Sequence, residues 1–393
     1  MSKTISQRVI RFNRGRNEVL LLRKFERMRS GPFPFFRGSC HLFFEDWKAK
    51  GKLDRAPLGW ISGDLHLENF GAYKGDNRLV YFDLNDFDEA VLAPCTWELA
   101  RFATSVRLAA DEIGLAGSQA DALVEHFLVS YAAVLERGKA RWVERAIAEG
   151  AVKELLDRAE GRSRKALLDK RTDLRDGRRR IRLDGEHALA ATSAEKEQVK
   201  RFLRRHGRHH ERSDHFKVLD VARRVAGTGS LGIDRYIVLV EGKGSPDQNH
   251  LIDIKMALPS APAAYLKHLQ PRWDSEAQRV VTIQNRCQAV SPAGLGVADI
   301  ESRHFVMREL QPVEDRLELE SLAQSGHFES ALSTMALVVA SAHLRSSGRG
   351  GSAIGDEWIE FGTHTGWIDR VGRYAARYHK TVVKNWLAFC KGG

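Results

Sequence analysis

Apolar positions along the chain change period several times, and the changes outline its elements. Residues 17–29 repeat at helical spacing and lead into an aromatic run, Gly31-Pro-Phe-Pro-Phe-Phe-Arg-Gly38, that predicts a turn. Residues 58–90 alternate between short apolar runs and turn residues. Within them, Arg78-Leu-Val-Tyr-Phe-Asp83 behind Gly75-Asp76-Asn77 predicts a hairpin. From 96 to about 207 the spacing is helical. It then switches to period two over 216–257, in runs such as Tyr236-Ile-Val-Leu-Val240 and Leu251-Ile-Asp-Ile-Lys255 separated by glycine-bearing turns. A helix is expected over 274–290, a strand over 303–310, and closing helices over 322–345 and 367–389. The result is an α+β chain in which a β-rich module lies between helical parts, with divisions at 1–213, 214–320 and 321–393.

Composition narrows the class. With 393 residues, 43% hydrophobic and 29% charged, the chain is an ordinary globular sequence, and disorder and fibrous repeats are excluded. No apolar run reaches the roughly 18 residues of a membrane span, and the N-terminal stretch lacks the apolar core of a signal peptide. Cys40, Cys95, Cys287 and Cys390 lie far apart, which fits neither a zinc site nor a disulfide framework, so free thiols in a reducing cytoplasm are expected. The net charge of +11 is concentrated: 136–217 holds 24 Lys+Arg against 15 Asp+Glu, nine of the surplus. Acidic residues are interleaved there and aromatics are sparse, which favours a solvated helical face over a nucleic-acid surface. His206, His209 and His210 sit among these cations and read as surface residues.

Chemistry is concentrated elsewhere. In Gly63-Asp-Leu-His-Leu-Glu-Asn-Phe-Gly71, Asp64 and Asn69 have the separation of the kinase catalytic loop D-L-x-x-x-N, where the carboxylate meets a substrate hydroxyl and the amide oxygen a magnesium ion. The hairpin is expected to bring Asp83 opposite Asn69, a pair of hard oxygen donors suited to Mg²⁺. Asp86, Asp88 and Glu89 add carboxylates that repel one another unless a cation or solvent relieves them. Gly227-Thr-Gly-Ser-Leu-Gly232 is a G-x-G-x-x-G, but a β-branched strand follows it, not the helix of a dinucleotide-binding turn. Strand, glycine loop and strand is the kinase arrangement over ATP phosphates. Lys255, in Ile252-Asp-Ile-Lys-Met256, matches the V-A-I-K strand whose lysine reaches the α/β-phosphates.

Gly63–Asn69 with Phe82–Asp86 resembles the H-G-D-x-H-x-x-N … I-D pattern of aminoglycoside phosphotransferases. Phe35-Phe-Arg-Gly38, Gly63–Gly71, Asn85-Asp-Phe-Asp-Glu89 and Trp97-Glu-Leu-Ala-Arg101 resemble, more closely and in the same order, a bacterial family called domain of unknown function 2252, grouped with the protein-kinase-like fold. The resemblance implies a bilobal kinase-like fold, ATP and Mg²⁺, and a hydroxyl acceptor, small molecule or protein, with an anionic one suited to the basic surface. It implies Asp64, His66 and Arg37 as catalytic residues and Asn69 with Asp83 or Asp86 at the metal. Gly227, Thr228, Gly229, Ser230, Gly232, Lys255, Glu276 and Glu309 would meet the nucleotide. The order is reversed from ordinary kinases, because Asp64 and Asp83 precede the glycine loop and Lys255. This predicts a circular permutation with Lys255 and Asp83 facing one cleft. Ser62 stands where the phosphotransferase pattern has His, and Thr282 where the family pattern has the lysine's Glu, leaving Glu276 as the available acid. Arg37 is a phosphate ligand or a structural partner of Asp86 or Asp88, and Arg101 is placed to orient an acidic loop residue. A nucleotide-binding regulator without turnover and an AMP transferase are the other classes this pattern allows.

Overall fold

A computed structural model describes residues 3–47, 51–210, 213–312, 315–317, 322 and 327–392. Four short helices open the chain: α1 (Ile5–Phe12), α2 (Glu18–Arg29), α3 (Pro32–Gly38) and α4 (Cys40–Glu45). Thr4 and Gln7 form a capping box on α1, and the Asn17 side chain caps α2. The aromatic run expected as a turn is α3: Pro32 sits at the first helical position, where its missing N–H costs nothing, and Phe33, Phe35 and Phe36 are buried. A methyl group at Gly38 would overlap the Met28 side chain, so α2 and α3 pack at glycine range.

The region expected to hold the catalytic loop follows: β1 (Leu58–Ile61), β2 (Phe70–Lys74), β3 (Val80–Leu84) and β4 (Val91–Pro94). β2 and β3 form the expected hairpin, with Gly71 opposite Asp83 and Phe70 opposite Leu84. Helix α5 (Cys95–Glu112) packs on β1, β4 and α6 (Gly117–Glu136). The stretch read as continuously helical is broken several times. After β5 (Val143–Glu144), α7 (Gly150–Glu160) and α8 (Arg164–Arg171) comes a hairpin, β6 (Thr172–Arg175) and β7 (Arg178–Ile181). Its turn, Asp176-Gly177, has both φ angles positive, 50° and 71°, the combination that two-residue hairpins require.

The β-rich part begins earlier than 214. Its six-stranded antiparallel sheet runs in the order β12-β13-β11-β10-β9-β8, from β8 (Ala188–Ala190), β9 (Val218–Arg224), β10 (Arg235–Val240), β11 (His250–Met256), β12 (Gly296–Ile300) and β13 (Arg303–Leu310). Helix α9 (Ser193–Gly207) covers one face through Val199, Phe202 and Leu203. Helix α10 (Glu276–Cys287) lies between β11 and β12 in the chain, and β14 (Asp315–Arg316) pairs with β2. Three helices close the fold: α11 (Phe328–Arg345), α12 (Gly355–Thr363) and α13 (Ile368–Lys391). The expected helix 322–345 includes 323–326, which lie outside the described residues. One continuous core runs through α3 to α7, α10 and the closing helices, while the six-stranded sheet has its own core on each face. Cys40, Cys95 and Cys287 are buried free thiols. Among the described residues, no helix is long and apolar enough to cross a membrane.

Candidate functional site

The loop from Ser62 to Asn69 is positioned from below by α5. Arg101, fully buried, donates from Nε to Asp64 Oδ1 at 2.7 Å, and Nη2 makes a second contact to the same oxygen. Its guanidinium lies 4.0 Å from the Phe36 ring centroid, so α3 and α5 together aim it. Burial pushes the Asp64 carboxyl above its ordinary value, and Arg101 opposes this. Three residues before Arg101, Glu98 accepts from the Ser62 backbone N–H at 2.7 Å and Oγ at 2.5 Å, and its other oxygen lies 3.2 Å from His343 of α11. Ser62 therefore serves as an anchor for the loop. Asn69 closes the loop by donating from Nδ2 to the Asp64 carbonyl at 2.5 Å. Gly63 has φ of +83°, and a side chain there would overlap the Glu89 carbonyl, which only glycine avoids.

The hairpin does not set Asp83 opposite Asn69. Asn85, not Asp83, donates its backbone N–H to the Asn69 carbonyl, at 2.9 Å. Asp83 is buried, accepting from the Leu84 N–H at 2.8 Å and lying 3.4 Å from Arg345 Nη2, and it does not line the cleft. Asp86 does. It is exposed and lines the cleft with Asn69 and Asp88. Burial would raise its pKa, but Lys255 and the Asp88 N–H outweigh that and hold it below the ordinary carboxylate value. Lys255 pairs with Asp88. Glu276 is engaged with Arg279 at 2.5 Å within α10 and is not the lysine's partner. Glu309 faces away from Lys255, because it sits opposite Ile252 while Lys255 sits opposite Val306; it contacts His250 at 3.2 Å and Arg164 at 3.1 Å. Arg37 pairs with Glu68 at 2.5 Å and lines the cleft. His66 also lines it, its Nδ1 accepting from the Glu68 N–H at 3.2 Å.

The glycine loop joins β9 to β10, so the strand–loop–strand arrangement holds. Gly227, Thr228, Gly229 and Ser230 line the cleft, while the Gly232 carbonyl accepts from Asn17 N–H at 2.9 Å. The N-terminal helices hold this loop by its carbonyls. Lys24 donates to Gly229 O at 2.8 Å and to Asn13 Oδ1 at 2.8 Å, and Arg16 donates to Gly229 O at 2.6 Å. Lys24 is almost fully buried, and burial drives the pKa of its amine well down. Neither residue stands out in the sequence as a site residue. A signal is present all the same, since Lys24 interrupts the stripe Leu20-Lys24-Met28, whose members are all buried.

Two connected hollows result, of about 300 Å³ and 490 Å³, sharing Asn69, Asp86, Asp88, Arg37, Gly227 and Ser230. The smaller contains Asp64, His66 and Lys24, and the larger Lys255, Arg235, Asp253 and Arg308. Among the described residues, no three His, Cys, Asp or Glu side chains converge as a ready cation cage. Asn69 and Asp86 remain a two-oxygen donor set of the kind that Mg²⁺ completes with water and phosphate oxygens. Comparison with curated proteins and with solved structures finds no match. A family model does match: the one described as "Uncharacterized protein conserved in bacteria (DUF2252)" covers residues 16–392, and the chain belongs to that family.

Proposed function

We propose that the cleft is the centre of a circularly permuted, kinase-like phosphotransferase that moves the γ-phosphoryl group of ATP to a hydroxyl acceptor. One observation carries the reading: the glycine loop, Lys255 and the Asp64–Asn69–Asp86 group, separated by more than 130 residues in sequence, line connected hollows. Glycine loop on the first hairpin, lysine on the third strand and a helix next is the order found in kinase N-lobes. That the Asp64 loop precedes them in the chain supports the permutation. Asn69 and Asp86 would hold Mg²⁺, which when bound neutralises charge on the phosphates. Asp64, oriented by Arg101, accepts the hydroxyl proton as the acceptor oxygen bonds to phosphorus and ADP leaves. Asp64→Asn should retain Mg·ATP binding and lose turnover by about 10²- to 10⁴-fold. Equal turnover in the variant and the parent would remove Asp64 from the chemistry.

A second reading, a nucleotide-binding regulator, is favoured by one feature. Lys255 is paired to Asp88, and the acid on α10 that was available to it is taken by Arg279. Calorimetric binding of Mg·ATP with release of neither ADP nor AMP over hours would select this reading. Release of pyrophosphate would select AMP transfer.

A further inference from the structure

The face of the six-stranded sheet that carries Lys255 is divided along its length. Pairing places Arg235 beside Lys255, Ile237 beside Asp253 and Leu239 beside Leu251. Across β13 the same face continues with Val306 beside Lys255, Arg308 beside Asp253 and Leu310 beside Leu251, so a single valine stands among the charges. The glycine-loop end is therefore charged and the far end apolar. A purine needs contiguous apolar walls, and on this face the far end is where apolar side chains lie together.

That end is closed by the chain itself. Leu168 of α8 and Ile181 of β7 are buried against Ala222, Ile237, Leu239, Leu251 and Leu310, every one of them 6% exposed or less. The covering segment is fastened down. The Ile181 N–H donates to Asp220 at 3.0 Å, and Arg179, itself buried, bonds Asp169 and Asp247 at 2.7 Å each. What stays open is the charged end, a 490 Å³ hollow lined by six Lys and Arg against four Asp and Glu side chains. Three of those guanidiniums, Arg224, Arg235 and Arg308, converge on the single carboxylate of Asp253. They hold its pKa well below the ordinary value against the effect of burial. Planar guanidiniums gathered in this way are suited to phosphate oxygens.

From these contacts we infer that the cleft recognises its donor through the phosphate chain alone, so that any nucleoside triphosphate, and inorganic tripolyphosphate, is accepted alike. The inference rests on the phosphotransferase reading and names its donor class. It also accounts for part of the Arg-rich stretch, whose hairpin plugs the end where a base would lodge.

Calorimetric titration of the full chain with the Mg²⁺ complexes of ATP, GTP, CTP and tripolyphosphate, and with adenosine, tests it. The four phosphate compounds should bind within about threefold of one another and adenosine not at all. ATP binding more than about tenfold tighter than GTP and CTP, or binding of adenosine, overturns the inference. That is the result expected if a base lodges beyond the glycine loop, against Phe12, Met256 and Leu258. Failure of all four phosphate compounds to bind overturns the phosphotransferase reading itself, so the two failures are distinct. Arg308→Gln should weaken all four by the same factor, and an effect confined to one of them counts against the inference.

Discussion

Asp83 and Asp86 stand three residues apart and face opposite demands. Asp83 is walled in by β3, Arg345 and the Ala289 N–H, and burial raises its pKa while Arg345 opposes. Asp86 is held ionised in the cleft by Lys255. Asp83→Asn should therefore destabilise the fold by about 3 kcal/mol, because it strips a buried ion pair of one partner, and leave Mg·ATP affinity unchanged. Asp86→Asn should do the reverse, keeping the melting temperature and weakening Mg-dependent binding at least about tenfold. Thermal melts and titrations on the two variants check both. Loss of nucleotide binding in Asp83→Asn with a normal melt would return the metal to Asp83. Arg101 gives a second test at this scale. Arg101→Met leaves Asp64 with an uncompensated buried charge and should cost about 3 to 5 kcal/mol. Adding Asp64→Asn should recover part of that loss, a coupling readable in a double-mutant cycle.

At the level of elements, the glycine loop depends on α2 as much as on its own strands. Lys24 has its pKa lowered well below the ordinary lysine value, chiefly by burial. Between the folded and unfolded pKa values the unfolded chain binds the extra proton, so stability rises with pH until the unfolded value near 10.4. Relative to Lys24→Met, which keeps the volume and removes the charge, the parent should gain stability on going from pH 7 to pH 8.5. Urea denaturation of both proteins at the two pH values isolates this, because all other titrations cancel in the difference. Parallel curves would mean that the amine is charged in the fold at both pH values. Elements such as β9 to β11 are legible in the sequence because each carries a run of apolar, largely β-branched residues bounded by glycine-bearing turns. The β6–β7 hairpin is not, since its alternation is written in charges. Arg178 and Arg180 are exposed while Arg179 is buried, and a buried Arg reads in sequence as one more surface cation. The Asp176-Gly177 turn is the visible clue, overridden by the helical spacing on either side. The expected metal pair misses by two residues of hairpin register, which turn chemistry alone does not set. Lys255's partner was expected on α10 because the family pattern, not the sequence spacing, puts it there; it lies in the loop after β3.

On the scale of the whole molecule, the proposed permutation can be tested by undoing it. The two ends meet: a side chain at Gly392 would overlap the Ser6 hydroxyl, and α1 packs on α13. Joining the ends with a short Gly/Ser linker therefore requires no rearrangement of the core. The new ends belong at Asp176–Gly177, the exposed tip of the β6–β7 turn, where cutting breaks no packed contact of the hairpin body. The rearranged chain runs from Gly177 through the glycine loop, Lys255 and α10 to α13, then through the linker to Asp64 and Asp86, and ends at Asp176. That is the ordinary kinase order. If the parts are held by packing and not by chain order, this permutant should fold with a melting temperature within about 4 °C of the parent, a loss near 2 to 3 kcal/mol. It should also bind Mg·ATP with the parent's affinity. A permutant that melts cooperatively but no longer binds would show that the α8–β7 segment, now severed between β6 and β7, shapes the cleft. One that fails to fold would show that the native order is needed to reach the structure.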